Sequence, residues 1–133
     1  MSKSNSREDY KQIIVIPTRW MDNDVYGHVN NVIYYSFFDT VVNHALIELK
    51  LLDYEKSEMI GLVVETSCTY YAPISFPDII DAAVRVEKIG NSSVKYEIGL
   101  FKREDISPCA SGYFVHVYVN RTNRKPENLT EKF

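Results

Sequence analysis

Apolar and polar positions change their period repeatedly along this chain, and each change marks an element. Residues 12–20, Gln-Ile-Ile-Val-Ile-Pro-Thr-Arg-Trp, are rich in β-branched side chains and predict a strand. Pro17 gives that strand an edge position or a bulge. A polar turn over 21–30 ends it. From Asn31 to about Leu52 the period becomes helical: Tyr35, Phe38, Val42, Ala45, Leu46 and Leu49 fall on one side, and Ser36, Thr40, Asn43 and Lys50 on the other. Tyr34, Phe37 and Val41 widen the apolar face, which predicts a helix buried on most of its circumference. Asn30 is its expected N-cap.

Four strands are expected after the helix. Residues 62–72 form the first, ended by Pro73. Residues 79–89 alternate Ile80, Ala82, Val84 and Val86 against Asp81, Arg85 and Glu87. Gly90-Asn91 reads as a turn, and 93–102 alternate again. Residues 103–108 are polar, and 109–120 give the last strand. One long apolar helix among antiparallel strands is an α+β domain whose sheet closes over the helix. The expected divisions are a flexible lead over 1–10, one folded domain over 11–121 and a loosely held polar tail over 122–133.

Composition narrows the function classes. A chain of 133 residues with 45% hydrophobic residues suits one folded domain with a normal core. Ten Tyr and six Phe fit a strand-rich fold or a surface that buries aromatics against a partner. A net charge of -3 argues against a generic nucleic-acid binder, and leaves room for a ligand carrying a few phosphates. No apolar run is long enough to span a bilayer, and the polar N-terminus shows no signal core. Cys68 and Cys109 lie far apart, as reduced thiols of a cytoplasmic protein would.

The candidate chemistry sits in Arg19-Trp20-Met21-Asp22-Asn23-Asp24-Val25-Tyr26-Gly27-His28-Val29-Asn30-Asn31. Two carboxylates, an imidazole, a glycine and amides lie at the mouth of the helix, where free N–H groups favour negative charge. Asp22-x-Asp24 is not a calcium loop, because Tyr26 and Ile33 occupy positions that need oxygen ligands. No His or Cys spacing supports a transition metal. From the residues alone, Asp24 either works as an acid/base group or caps its own turn. His28 is equally divided between structure and chemistry, and Asp22 is expected to orient the loop.

The block Arg19-Trp20-x-Asp22-x-Asp24-x-x-Gly27-His28-Val29-Asn30-Asn31-x-x-Tyr34, with Asp39 on the helix, resembles the acyl-CoA thioesterases related to 4-hydroxybenzoyl-CoA thioesterase. Weaker matches follow at Glu65, Pro73, Phe76-Pro77-Asp78, Ile89-Gly90-x-x-Ser93 and Arg124-x-Pro126, and the helix has Val42 about where many relatives carry arginine. The resemblance implies a hot-dog fold, an antiparallel sheet wrapped around one central helix. It implies hydrolysis of an acyl-CoA to a carboxylic acid and free CoA, with no metal and no cofactor beyond the CoA of the substrate. Asp24 takes the place of the catalytic carboxylate, as nucleophile or general base. His28 and Asn30 are expected to position the reacting groups, and Tyr26, Gly27, Val29 and Asn31 to meet the substrate. N–H groups near Val29, Asn30 and Asn31 would form the oxyanion site. Asp39 would act as an acceptor below the loop, and Glu65 would sit on a wet sheet face. Lys88 and Arg121 are the expected phosphate contacts. The family builds its sites between protomers, so a homodimer or homotetramer is expected. Two rivals remain: a hot-dog domain that binds acyl-CoA or an acyl carrier protein without turnover, and a dehydratase or hydratase of the same fold.

Overall fold

A computed structural model describes residues 6–49 and 58–129. Strand β1 spans Gln12–Pro17, helix α1 Asn31–Glu48, β2 Met59–Tyr70, β3 Ile79–Ile89, β4 Ser93–Lys102 and β5 Ala110–Asn120. The strands form one antiparallel sheet in the order β1-β3-β4-β5-β2. This is the hot-dog arrangement, with α1 lying on the concave face.

Alternation sets the register. Ile80, Ala82 and Val84 of β3 and Val94, Tyr96, Ile98 and Leu100 of β4 point inward and are buried. Phe114, His116 and Tyr118 of β5 join them. Against this face α1 lays Tyr34, Phe37, Phe38, Val41, Val42, Ala45 and Leu46. The helix is therefore buried on one broad face; Ser36, Asp39, Thr40, His44 and Ile47 stay exposed. Burial of a phenylalanine-sized side chain contributes roughly 2–3 kcal/mol, so this face dominates the stability of the fold.

Several boundaries differ from the sequence expectation. β1 stops at Pro17 rather than Trp20, because the Thr18 N–H and hydroxyl both donate to the carbonyl of Asp78, at 3.1 and 2.6 Å, and turn the chain away. α1 ends at Glu48 with Leu49 as C-cap, and the expected extension to Leu52 lies outside the described residues. β2 begins at Met59 and ends at Tyr70, shifted from 62–72. The tail is not loose over 121–129. Glu127 N donates to Tyr118 O at 2.9 Å, Leu129 N to Asn91 O at 2.8 Å, and Leu129 packs against the core.

The lead is also held. Arg7 Nη1 meets Asp81 Oδ2 at 2.6 Å, and its guanidinium lies 4.9 Å from the centre of the Phe101 ring. Tyr10, Ala83 and Phe101 form a second small core on the convex face. Arg7→Ala leaves the buried Asp81 carboxylate without its cation. It should cost about 2 kcal/mol, read as a lower urea midpoint with an unchanged slope. An unchanged midpoint would show that the strap is dispensable.

A buried polar cluster lies in the core around His116. His116 is 2% exposed, and its Nδ1 is 3.4 Å from the Tyr118 hydroxyl, which is 2.6 Å from that of Tyr96. Burial lowers the imidazole pKa from 6.5 to about 4, with Asp39 on the helix opposing that shift. The unfolded chain then binds protons more readily than the folded one between these two values. Stability is complete above 6.5 and falls as pH drops toward 4, by about 3 kcal/mol. Urea titrations at pH 7.5 and 4.5 should show a smaller pH penalty for His116→Phe than for the wild type. Equal penalties would clear His116 of the effect.

Candidate active site

Two segments build the site: residues 18–31 and residues 73–78. In the first, residues 20–22 form a single turn of 3-10 helix, with Asp22 N donating to Arg19 O at 2.9 Å. The Asp22 carboxylate folds back onto Arg19. It accepts the backbone N–H of Arg19 at 2.8 Å and the guanidinium at 2.8 and 3.1 Å. It is wholly buried, as an orienting group must be, while Arg19 reaches solvent. Asn30 N donates to Asp22 O at 2.9 Å and closes the loop on itself.

Inside that closure lies a tighter one. Asn23 and Val29 bridge as an antiparallel pair, and Asp24 N donates to His28 O at 2.9 Å. Gly27 N returns to Asp24 O at 3.1 Å, and Gly27 takes φ +82, where a side chain is strained. The second segment supports the loop from behind. Val29 N donates to Ile74 O at 2.7 Å, Ser75 Oγ to Gly27 O at 2.8 Å, and Phe76 N to Asn23 Oδ1 at 3.0 Å. The Phe76-Pro77 bond of this segment is cis. Asn23 thus does more than turn the backbone. Ser75 carried no sequence signal, because its partner is 48 positions away.

Asp24 is half-buried, and the Tyr26 N–H at 2.8 Å is its carboxylate's one hydrogen bond among the described residues. The carboxylate both caps its turn and stays open to solvent. His28 is exposed, and its ring pairs with no carboxylate among the described residues. Asn30 caps the helix through Oδ1, which accepts from Val32 N at 3.0 Å. Its side chain is therefore a structural element of the helix mouth.

The expected oxyanion donors need correcting. The N–H groups of Val29 and Asn30 are engaged by Ile74 O and Asp22 O, and that of Ile33 by Asn30 O. Of the set near Val29, Asn30 and Asn31, only the Asn31 N–H lacks a partner among the described residues. The engaged groups need the loop closure, because a buried unpaired donor is costly.

Apolar side chains crowd the outside of the loop. Trp20 is 75% exposed, Val25 93%, Tyr26 84% and Val32 72%. The Trp20 ring stands edge-on to Phe76 with centroids 5.9 Å apart. Exposed apolar side chains of this size are common at interaction surfaces. Tyr34 packs at the base of the loop, buried and edge-on to Tyr70 at 4.8 Å.

Other expected residues fall elsewhere. Asp39 is exposed on α1 and accepts from Asn43 Nδ2 at 3.1 Å. Glu65 faces the convex surface, where the Tyr113 hydroxyl donates to it at 2.5 Å. Lys88 and Arg121 are not brought to the loop within one protomer. Lys88 lies nine residues along β3 from Ile79, or about 30 Å, and Arg121 follows the far end of β5. Both thiols are free, and burial pushes that of Cys68 up to about 11, so it is protonated.

The sheet order, the enclosed helix and a carboxylate loop at the helix mouth define a hot-dog protein of the thioesterase kind. The chain belongs to the thioesterase-like superfamily, whose family model matches residues 18–133. It is similar to the PA5185 protein of Pseudomonas aeruginosa strain PAO1, with 50% identity and a TM-score of 0.93 over 98% of this chain and 91% of that one. The fold is also that of a DHNA-CoA thioesterase from Staphylococcus aureus, at 21% identity and a TM-score of 0.78 over 88% and 79%. Among curated proteins, YsmA of Bacillus subtilis is 24% identical over 117 residues, 88% of this chain and 78% of that protein.

Proposed function

We propose that this protein hydrolyses acyl-CoA thioesters to a carboxylic acid and free CoA. The observation that carries this reading is the Asp24 carboxylate, half-open to solvent and held at the mouth of a capped helix in a thioesterase-like chain. The carbonyl carbon of a thioester is electrophilic and its thiolate leaves readily, so an unexceptional carboxylate suffices. Asp24 either removes a proton from water as it attacks, or attacks itself to give an anhydride that water then opens. Both routes consume one water and release acid and thiol. The Asn31 N–H and the positive end of α1 face the negative charge that develops on the carbonyl oxygen. His28 contacts the incoming water or the thioester, and Tyr26, Gly27 and Val29 shape the entry. CoA belongs to the substrate, and the reaction needs no further cofactor.

The same reading includes a homodimer. β2 is an edge strand of 12 residues, paired only with β5 among the described strands, with Leu62, Val63 and Val64 exposed. A long apolar edge calls for a partner, and a second β2 supplies one. No helix among the described residues is long and apolar enough to cross a membrane, and the reading places the enzyme in the cytoplasm with its CoA substrates.

Release of free thiol from a panel of straight-chain, branched and aryl acyl-CoAs tests the activity. Steady turnover of at least one ester is expected. Stoichiometric binding with no thiol released would replace hydrolysis with carriage. Water addition to an enoyl-CoA would replace it with hydration.

A further inference from the structure

A second open donor stands beside the Asn31 N–H at the helix mouth. Across residues 27–33 every backbone N–H has an acceptor among the described residues except those of His28 and Asn31. Gly27 N reaches Asp24 O, Val29 N Ile74 O, Asn30 N Asp22 O, Val32 N Asn30 Oδ1 and Ile33 N Asn30 O. His28 is exposed, so its open N–H carries no penalty of burial.

The direction of that N–H is set by a side chain far away in sequence. Ser75 Oγ donates to Gly27 O at 2.8 Å. Gly27 O and His28 N belong to one trans peptide unit, whose N–H points opposite its C=O. With the carbonyl drawn to the supporting segment, the His28 N–H points away from that segment. The other arm of the loop runs on this far side: His28 O accepts from Asp24 N at 2.9 Å, while Val29 N turns back to Ile74 O at 2.7 Å. The His28 N–H therefore faces the arm that carries the Asp24 carboxylate. Gly27, at φ +82, takes the backbone conformation that this peptide needs without strain.

Ser75 is itself held. Its N–H donates to Asp78 Oδ2 at 3.0 Å, and its carbonyl accepts from Asp78 N at 2.8 Å. Asp78 O in turn takes the Thr18 N–H and hydroxyl where β1 ends. Ile74, the preceding residue, is wholly buried in the core. The hydroxyl thus reaches Gly27 from a fixed base.

We infer that Ser75 is a positioning residue: by holding the Gly27 carbonyl it aims the His28 N–H, together with that of Asn31, at the carbonyl oxygen of a bound thioester. This rests on the hydrolase reading of the Asp24 loop. Two donors suit the negative charge that gathers on that oxygen as the carbonyl carbon is attacked. Without the Ser75 hydroxyl the peptide can rotate, and one donor is misaimed when the charge is largest. The loss then falls on kcat rather than on KM.

Two measurements test it. Ser75→Ala should lower kcat for the best-cleaved acyl-CoA about tenfold, with KM within about twofold, as expected of a donor misaimed rather than deleted. Ser75→Thr keeps a hydroxyl and should restore most of the rate. A merely structural Ser75 would lower the urea midpoint of the alanine variant and leave its kcat unchanged, and that result would overturn the inference. So would a threonine variant as slow as the alanine one.

The second measurement is independent of turnover. Ketone analogues of acyl-CoA, with a methylene in place of the thioester sulfur, present the carbonyl and cannot be hydrolysed. In ¹⁵N-labelled protein, their binding should move the amide protons of both His28 and Asn31 downfield. In Ser75→Ala only that of Asn31 should move. A His28 amide proton that stays in place when the analogue binds the wild type rejects the donor, whatever the rate of hydrolysis. If both amides respond in a protein that cleaves no acyl-CoA, the donor pair stands and the hydrolase reading alone falls. Analogues that fail to bind would overturn both.

Discussion

Asp24→Asn should lower acyl-CoA hydrolysis by about 100- to 10,000-fold in kcat, the range that a positioned base contributes. The fold should survive, because the amide oxygen of asparagine can still accept from the Tyr26 N–H as Oδ1 does. The variant therefore separates chemistry from structure. Its melting temperature should stay within a few degrees of the wild type, and its KM should move less than its kcat. A nucleophilic and a general-base carboxylate are then distinguished by single turnover in ¹⁸O-labelled water. Label found in Asp24 after one turnover marks an anhydride opened at the Asp24 carbon; where label appears only in the product acid, rapid-quench detection of acylated Asp24 separates an anhydride opened at the acyl carbon from direct attack by water. A variant that hydrolyses at the wild-type rate would remove Asp24 from the mechanism.

The second large effect concerns the sheet. Gly112→Ala should prevent folding or destabilise the protein by at least about 3 kcal/mol, the scale of severe overpacking. A Cβ at this position would meet the carbonyl oxygen of Ser67 at 1.9 Å and Phe38 Cε2 at 2.8 Å. The first is backbone of the neighbouring strand and the second belongs to a fully buried ring, so neither can yield cheaply. Gly27→Ala is the control. Nothing lies within 4 Å of its Cβ, and only its positive φ resists the change, at a cost of about 1–2 kcal/mol. Urea midpoints should rank the wild type above Gly27→Ala, and that above Gly112→Ala. A Gly112→Ala protein as stable as the control would mean that β2 and β5 lie farther apart than described.

Much of the frame was legible because local pattern decides it. Strands 79–89 and 93–102 appear with their expected bounds, since the alternation through Ile80, Ala82 and Val84 and the Gly90-Asn91 turn mark both elements, whereas the register shift between Val86 and Lys88, which leaves Val86 exposed, carries no such mark. Asn30 caps α1 as its residue type suggests. The errors arise where distant partners decide. Thr18 leaves β1 for Asp78, sixty positions away, and no neighbour in sequence announces it. The tail past Arg121 has the composition of a solvated end, yet its backbone bonds to Tyr118 and Asn91. The loop was identified by its residues but not by its wiring. Donors that a sequence leaves available, at Val29 and Asn30, are engaged once Ile74 and Asp22 arrive. Placing Lys88 and Arg121 required knowing which end of the sheet holds the loop, a property of topology that spacing does not carry.

The chain contains a single tryptophan, and it stands on the rim of the site against Phe76. An indole that meets bulk water emits at long wavelength, and covering it shifts that emission to shorter wavelength. The protein thus carries its own optical reporter at the candidate pocket. Titration with a slowly cleaved thioester would read occupancy from intrinsic fluorescence, with no dye attached and no second indole to obscure the signal.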